Sequence, residues 1–256
     1  MGAMHAVRQY NHRCSIESVP QVIAMDLCRI FVAAVLMVLP VSAIAAPLQV
    51  AHFQSHGRQI AYDIYGPQST GPLIIMLHGV GGPDAPLYRH LADDLATKYN
   101  YTVLFMHYFD ATDTYRASPE NYVAWEKTVS DLVDECGKNP QWSKRKVGIL
   151  GFSLGASVAL AAGSQMPPVG AVAEWYGSLP DEFFYQLKGM PPLLILHGQH
   201  DDNIPVSNAQ QMIQLCRMKN FTCESHIYPN QAHGILPPDF DDAVKRTVDF
   251  FAKHLK

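Results

Sequence analysis

Residues Val147 to Leu160 carry an apolar strand into Gly-x-Ser-x-Gly and straight out into a helix of small residues. Glycines two positions either side of Ser153 mark a turn with no room for side chains, since a Cβ at Gly151 or Gly155 would strike neighbouring backbone. Such a nucleophile elbow holds the Ser153 hydroxyl clear of a sheet. It also requires a strand to end in a helix, which restricts the chain to architectures in which the two alternate. The N–H of Leu154, first in that helix, has no intrahelical acceptor and points outward, available to a developing oxyanion.

The rest of the chain supplies that alternation. Leu48 to Gln54 and Arg58 to Tyr65 alternate apolar and polar residues around Ser55-His56-Gly57, an antiparallel hairpin. Leu73 to Leu77 is an unbroken apolar run, the pattern of a strand covered on both faces, and it empties into His78-Gly79-Val80-Gly81-Gly82. Helical spacing of Leu87, Leu91 and Leu95 precedes a strand from Tyr101 to Met106. Ser118-Pro119-Glu120 starts an amphipathic helix through Trp125, Val129 and Val133 that ends by Asn139-Pro140. The strand Lys146 to Leu150 leads into the elbow, and after it come strands at Val169 to Trp175, Leu193 to Leu196 and Thr222 to Tyr228, with helices at Pro205 to Lys219 and Asp239 to His254, the last with Phe240, Val244, Val248 and Phe251 on one face. The pattern predicts an α/β fold: a mostly parallel central sheet opened by an antiparallel hairpin, with helices on both faces. In such sheets sites lie beyond the carboxyl ends of strands.

At 256 residues, 48% hydrophobic, the chain fits one substantial domain over residues 46–256. A net charge of −4 with no run of Lys or Arg leaves no electrostatic footprint for nucleic acid. Residues 1–45 read as a presequence, with a signal peptide over about 25–45: one positive charge at Arg29, an apolar run from Ile30 to Leu39, and a small-residue cleavage site at Ser42 to Ala46. A retained anchor is the rival reading, disfavoured by Pro40, which leaves the run short for a bilayer. Residues 1–24, polar and ahead of the in-frame Met25, read as a misassigned start or an added leader. The expected location is periplasmic or secreted, free of the membrane after cleavage. Cys216 and Cys223 flank a turn where a disulfide and two buried thiols are both admissible, and no Cys/His spacing resembles a metal site.

A serine nucleophile needs a histidine to take its proton and an acid to orient that histidine. Leu193 to Leu196 ends in His197-Gly198-Gln199-His200-Asp201-Asp202-Asn203-Ile204-Pro205, and Tyr228 leads to His233-Gly234. Asp201 and His233 are the candidates, in the order Ser, Asp, His. Asp202 and Glu174 are rival acids. His78 and His197 read as loop scaffolding, and His107 and His200 as candidate pocket walls.

Through His78 to Gly82, the elbow, the His197-Gly198-x-x-Asp201-x-x-Ile204-Pro205 turn and Tyr228 to Gly234, the chain resembles the dienelactone-hydrolase-like branch of the α/β-hydrolases over residues 48–256. The resemblance implies Ser153 as nucleophile, Asp201 as acid, His233 as base and the N–H groups of Val80 and Leu154 as oxyanion donors. Dienelactone hydrolases proper resemble this pattern with cysteine at the nucleophile position, so Ser153 points to a general carboxylesterase acting on a small-molecule ester with no cofactor or metal. A peptidase or thioesterase on the same residues, or a binding protein that kept the fold, are the alternatives. Residues 177–187 form only a short cap, and Trp175, Tyr176 and Phe183 are expected to wall an apolar acyl site.

Overall fold

The computed structural model describes residues 49–165 and 168–256. The expected presequence, its cleavage point and Leu48 lie outside the described residues. Eight strands form one sheet: β1 (Gln49–Ser55), β2 (Arg58–Tyr65), β3 (Leu73–Leu77), β4 (Thr102–Met106), β5 (Val147–Phe152), β6 (Val169–Trp175), β7 (Leu193–Gly198) and β8 (Cys223–Tyr228). Their order is β1-β2-β4-β3-β5-β6-β7-β8, with β1 and β2 antiparallel, β2 antiparallel to β4, and the remainder parallel. Strand β3 is flanked by β4 on one side and β5 on the other, so the chain leaves it in one direction and returns in the other. That is a topological switch point, where the loops after β3 and β5 open a crevice.

Helices cover both faces because the interior strands are apolar on both. Trp125, Val129 and Leu132 of α2 (Pro119–Lys138), Val158 of α3 (Leu154–Ser164), and Ala209 and Met212 of α5 (Ser207–Lys219) pack on one face with Ile75 and Ile149. Leu91 and Leu95 of α1 (Pro86–Tyr99) and Ala243 and Phe250 of α6 (Phe240–His254) pack on the other with Ile74 and Leu150. Helix α2 starts as its sequence requires: Ser118 Oγ accepts the Asn121 N–H at 3.3 Å and Pro119 occupies the first turn. Helix α3 is buried on every side, which explains why its residues are small and lack an amphipathic stripe.

The structure departs from the sequence reading in detail. Strands β5 and β7 run two residues further than expected, to Phe152 and Gly198, so Ser153 stands directly at a strand end. Leu87 is 41% exposed, and α1 turns Tyr88, Leu91 and Leu95 toward the sheet instead. On α6 the expected face of Phe240, Val244, Val248 and Phe251 does pack on the sheet, and the buried stripe extends beyond it to Ala243, Thr247 and Phe250. Two short helical pieces, Tyr108–Ala111 and α4 (Asp181–Phe184), were not anticipated, because four residues carry no readable period. Cys216 and Cys223 are joined as a disulfide, tying the end of α5 to the start of β8.

Candidate active site

The elbow is built as its glycines demand. Ser153 adopts φ 54° and ψ −118°, a backbone state costing about 1–3 kcal/mol for a residue with a Cβ. It persists because the surroundings leave nothing else: a Cβ at Gly151 would lie 2.2 Å from the Gly155 carbonyl oxygen, and one at Gly155 would lie 2.4 Å from that of His78. The Ser153 N–H donates to the Trp175 carbonyl at 2.9 Å, anchoring the turn to β6.

From this point a chain of hydrogen bonds runs across three loops. Ser153 Oγ lies 2.8 Å from His233 Nε2, and His233 Nδ1 lies 2.9 Å from Asp201 Oδ2. With the Nδ1 proton directed at the carboxylate, the network assigns Nε2 as acceptor for the serine hydroxyl. The other Asp201 oxygen accepts the N–H groups of Asn203 and Ile204 at 2.9 and 2.8 Å, fixing the carboxylate plane. Asp202 points outward and Glu174 meets a different partner, so neither rival acid faces His233.

Backbone contacts decide this convergence. His200 N–H donates to the Gln231 carbonyl and Gln199 N–H to that of Tyr228, and a Cβ at Gly198 would lie 2.2 Å from the Ala232 oxygen. The loop after β7 is therefore laced to the loop after β8. Gln231, nearly buried, braces the His233 loop by accepting from Leu236 N–H and donating to Leu236 O and Asp239. His197 donates from Nε2 to the Ile204 carbonyl at 2.8 Å, and burial lowers its pKa, so a neutral ring stands 3.3 Å behind Asp201 Oδ2. His78 is held similarly. Its Nδ1 lies 2.8 Å from the Gly79 carbonyl, its ring stacks on Tyr108, and burial pulls its pKa down to about 4.

The N–H groups of Val80 and Leu154 take no acceptor among the described residues. Both lie at the switch-point crevice beside Ser153. Among the expected pocket walls, Tyr176 sets its ring edge-on to His233 with centroids 5.2 Å apart. Trp175 is a correction: strand alternation sends its indole to the opposite face, where Nε1 donates to Thr247 on α6 and the ring packs on Phe152 and Phe240. Phe183 is buried within the short cap, while Tyr185 is 85% exposed. His107 lies 3.4 Å from Asp63 of β2, and His200 is exposed. An open cleft of about 310 Å³ on the same sheet edge is lined by Pro119, Tyr122, Ser178, Leu179 and Asn208. Among the described residues no cluster of three His, Cys, Asp or Glu side chains is placed to hold a metal.

The sequence model of the dienelactone hydrolase family matches residues 61–255. The chain belongs to that family. Carboxymethylenebutenolidase of Rhodococcus opacus is 27% identical over 218 residues, spanning 73% of this chain and 82% of its own. A relative in Methylorubrum extorquens is 29% identical over 128 residues, covering 43% of each chain. A dienelactone hydrolase structure from Anabaena variabilis superposes with a TM-score of 0.65 at 17% identity, covering 82% of this chain and 98% of that one; the likeness is one of fold. Dienelactone hydrolase family membership makes this a hydrolase of the esterase type.

One buried acid of this dienelactone hydrolase family member stands apart from the hydrogen-bonded chain. Glu174, at the end of β6, accepts the Gly177 N–H at 2.8 Å and so closes the turn that holds Tyr176 at φ 49° against His233. Burial raises its pKa to about 8. Below the ordinary glutamate range, folded and unfolded chains both carry the proton. From there to about 8 only the folded chain keeps it, so rising pH works against folding, by at most about 1.4 kcal/mol per pH unit; above that the penalty is constant. Glu174→Gln, which still accepts from Gly177, is expected to flatten urea-unfolding stability between pH 5 and 8 relative to the parent. An unchanged pH slope would remove this reading.

Proposed function

We propose that the protein is an exported serine hydrolase that cleaves small carboxylic esters through an acyl-enzyme. The observation that carries this is the unbroken path from Ser153 Oγ through His233 to Asp201, starting from a strained elbow. On this reading His233 Nε2 takes the serine proton as Oγ attacks the ester carbonyl, and the N–H groups of Val80 and Leu154 receive the oxyanion. His233 then protonates the departing alcohol, and a water repeats the sequence on the acyl-serine. Asp201 holds the imidazole in the required tautomer and stabilises its cation. The family and the carboxymethylenebutenolidase relatives support the ester class.

Export is supported by the signal-like stretch over residues 25–45 and by the Cys216–Cys223 disulfide, a bond favoured in oxidising compartments. The short cap, with a single four-residue helix, favours short or medium acyl groups. The expected result is rapid turnover of p-nitrophenyl acetate and butyrate, much slower turnover of the palmitate, and labelling by a fluorophosphonate that maps to Ser153. A protein that neither hydrolyses these esters nor reacts with the probe would be a binding module on the same fold.

A further inference from the structure

Helix α1 delivers a hydroxyl to the gap beside the nucleophile. Tyr88, in its first turn, is half-buried with its ring against Phe152, the residue preceding Ser153. Its Oη accepts the Gly79 N–H at 3.2 Å. A Cβ placed on Gly79 would lie 2.8 Å from that Oη and 3.4 Å from Ser153 Cβ, so the phenol and the serine border the same small space. Gly79 is also the residue immediately before Val80. Because Oη is the acceptor in its bond with Gly79, its own proton is uncommitted: among the described residues it meets no acceptor. Burial raises this phenol above its usual value, so the proton stays on through neutral pH.

We propose that the Tyr88 O–H is a third hydrogen-bond donor to the oxygen that becomes negative when Ser153 attacks, beside the N–H groups of Val80 and Leu154. This rests on the serine-hydrolase reading above. No bond to Tyr88 is made or broken. The Gly79 N–H aims the phenol and polarises its O–H, and the donated hydrogen bond strengthens as charge builds on the substrate oxygen. The pre-set orientation is what gives a neutral donor value in the transition state. Helix α1 thereby acts in the chemistry as well as in covering the sheet.

A tyrosine that only braced the Gly79 loop would act through Oη as acceptor, and ionising the phenol would leave that role intact. Donation ends on ionisation. Tyr88→Phe is expected to lower kcat on p-nitrophenyl butyrate by about ten- to a hundred-fold, somewhat less than the loss of a backbone oxyanion donor, with KM within about threefold. Affinity for a trifluoromethyl ketone, which binds serine hydrolases as a tetrahedral alkoxide, should fall by the same factor. Fluorotyrosines at position 88 keep the ring and the acceptor but acidify the phenol. They should hold kcat near neutrality and lose it at alkaline pH, along a limb that moves down as fluorination lowers the phenol pKa. Tyr176 and Tyr108, the titratable groups coupled to Tyr88, are both held protonated by burial, so a limb that moves with fluorination reports Tyr88. Tyr88→Phe with kcat and ketone affinity within twofold of the parent, or fluorotyrosines with no displaced limb, would overturn the proposal. If Ser153→Ala is inactive in the same assay, only the role of Tyr88 is lost; if it is active, the reading beneath it fails instead.

Discussion

Ser153→Ala should abolish ester turnover, with a loss on the order of 10⁶-fold in kcat, the scale seen when a serine nucleophile and its histidine act as one unit. The substitution removes Oγ and nothing else. Alanine keeps the Cβ that the elbow already accommodates at φ 54°, and the N–H of residue 153 still donates to the Trp175 carbonyl, so the turn survives. Only the hydrogen bond to His233 is lost, a contribution of about 1 kcal/mol to folding. What remains is the pair of N–H groups at Val80 and Leu154 and the cleft, enough for a residual acceleration of about 10³–10⁴ over water. Kinetics on p-nitrophenyl butyrate, with thermal unfolding run in parallel, separate the two effects. A folded alanine variant retaining more than about a hundredth of parental kcat would contradict a covalent serine step.

The elbow was legible because its physics is local: two glycines and a serine between an apolar run and small residues admit one turn. The interior strands β3, β6 and β7 were legible for a related reason, since runs such as Leu73 to Leu77 are apolar at every position and only a doubly covered strand wants that. Direction along an element was harder. Trp175 was expected beside the serine because it ends the right strand, yet alternation along β6 turns its ring to the α6 face; the next residue, Tyr176, meets His233. Leu87 lost its inward place to Tyr88 because a periodicity of three leucines does not fix where a helix face begins. Gln231 and Tyr88 carried no sequence signal, since each acts on a backbone group of its own connection whose position only the folded loop fixes, whereas His197, read as loop scaffolding, does hold the Ile204 carbonyl of its turn. The choice between Asp201 and Asp202 belongs here too. It turns on the Gln199 and His200 N–H groups pairing with the loop after β8, and a turn one residue longer would have exchanged the two acids.

That pairing makes Asp201→Asn a sharp test of what the acid does. Asp201 uses one oxygen on the Asn203 and Ile204 N–H groups and the other on His233. An asparagine in the same pocket has one carbonyl oxygen, and the two backbone donors will take it, which turns the amide NH₂ toward His233 Nδ1. The imidazole must then accept at Nδ1 and carry its proton on Nε2, facing a serine hydroxyl it can no longer deprotonate. The expected loss is about 10⁴-fold in kcat near neutral pH, with fold and KM nearly intact, because a tautomer has been inverted rather than a wall removed. The neutral His197 behind the carboxylate cannot substitute, since its Nε2 proton is committed to Ile204. Rising pH should restore part of the rate if hydroxide assists the serine directly. A folded Asp201→Asn variant within about tenfold of the parent would mean that the imidazole is oriented by something else, and that Asp201 serves only to close the turn before Ile204.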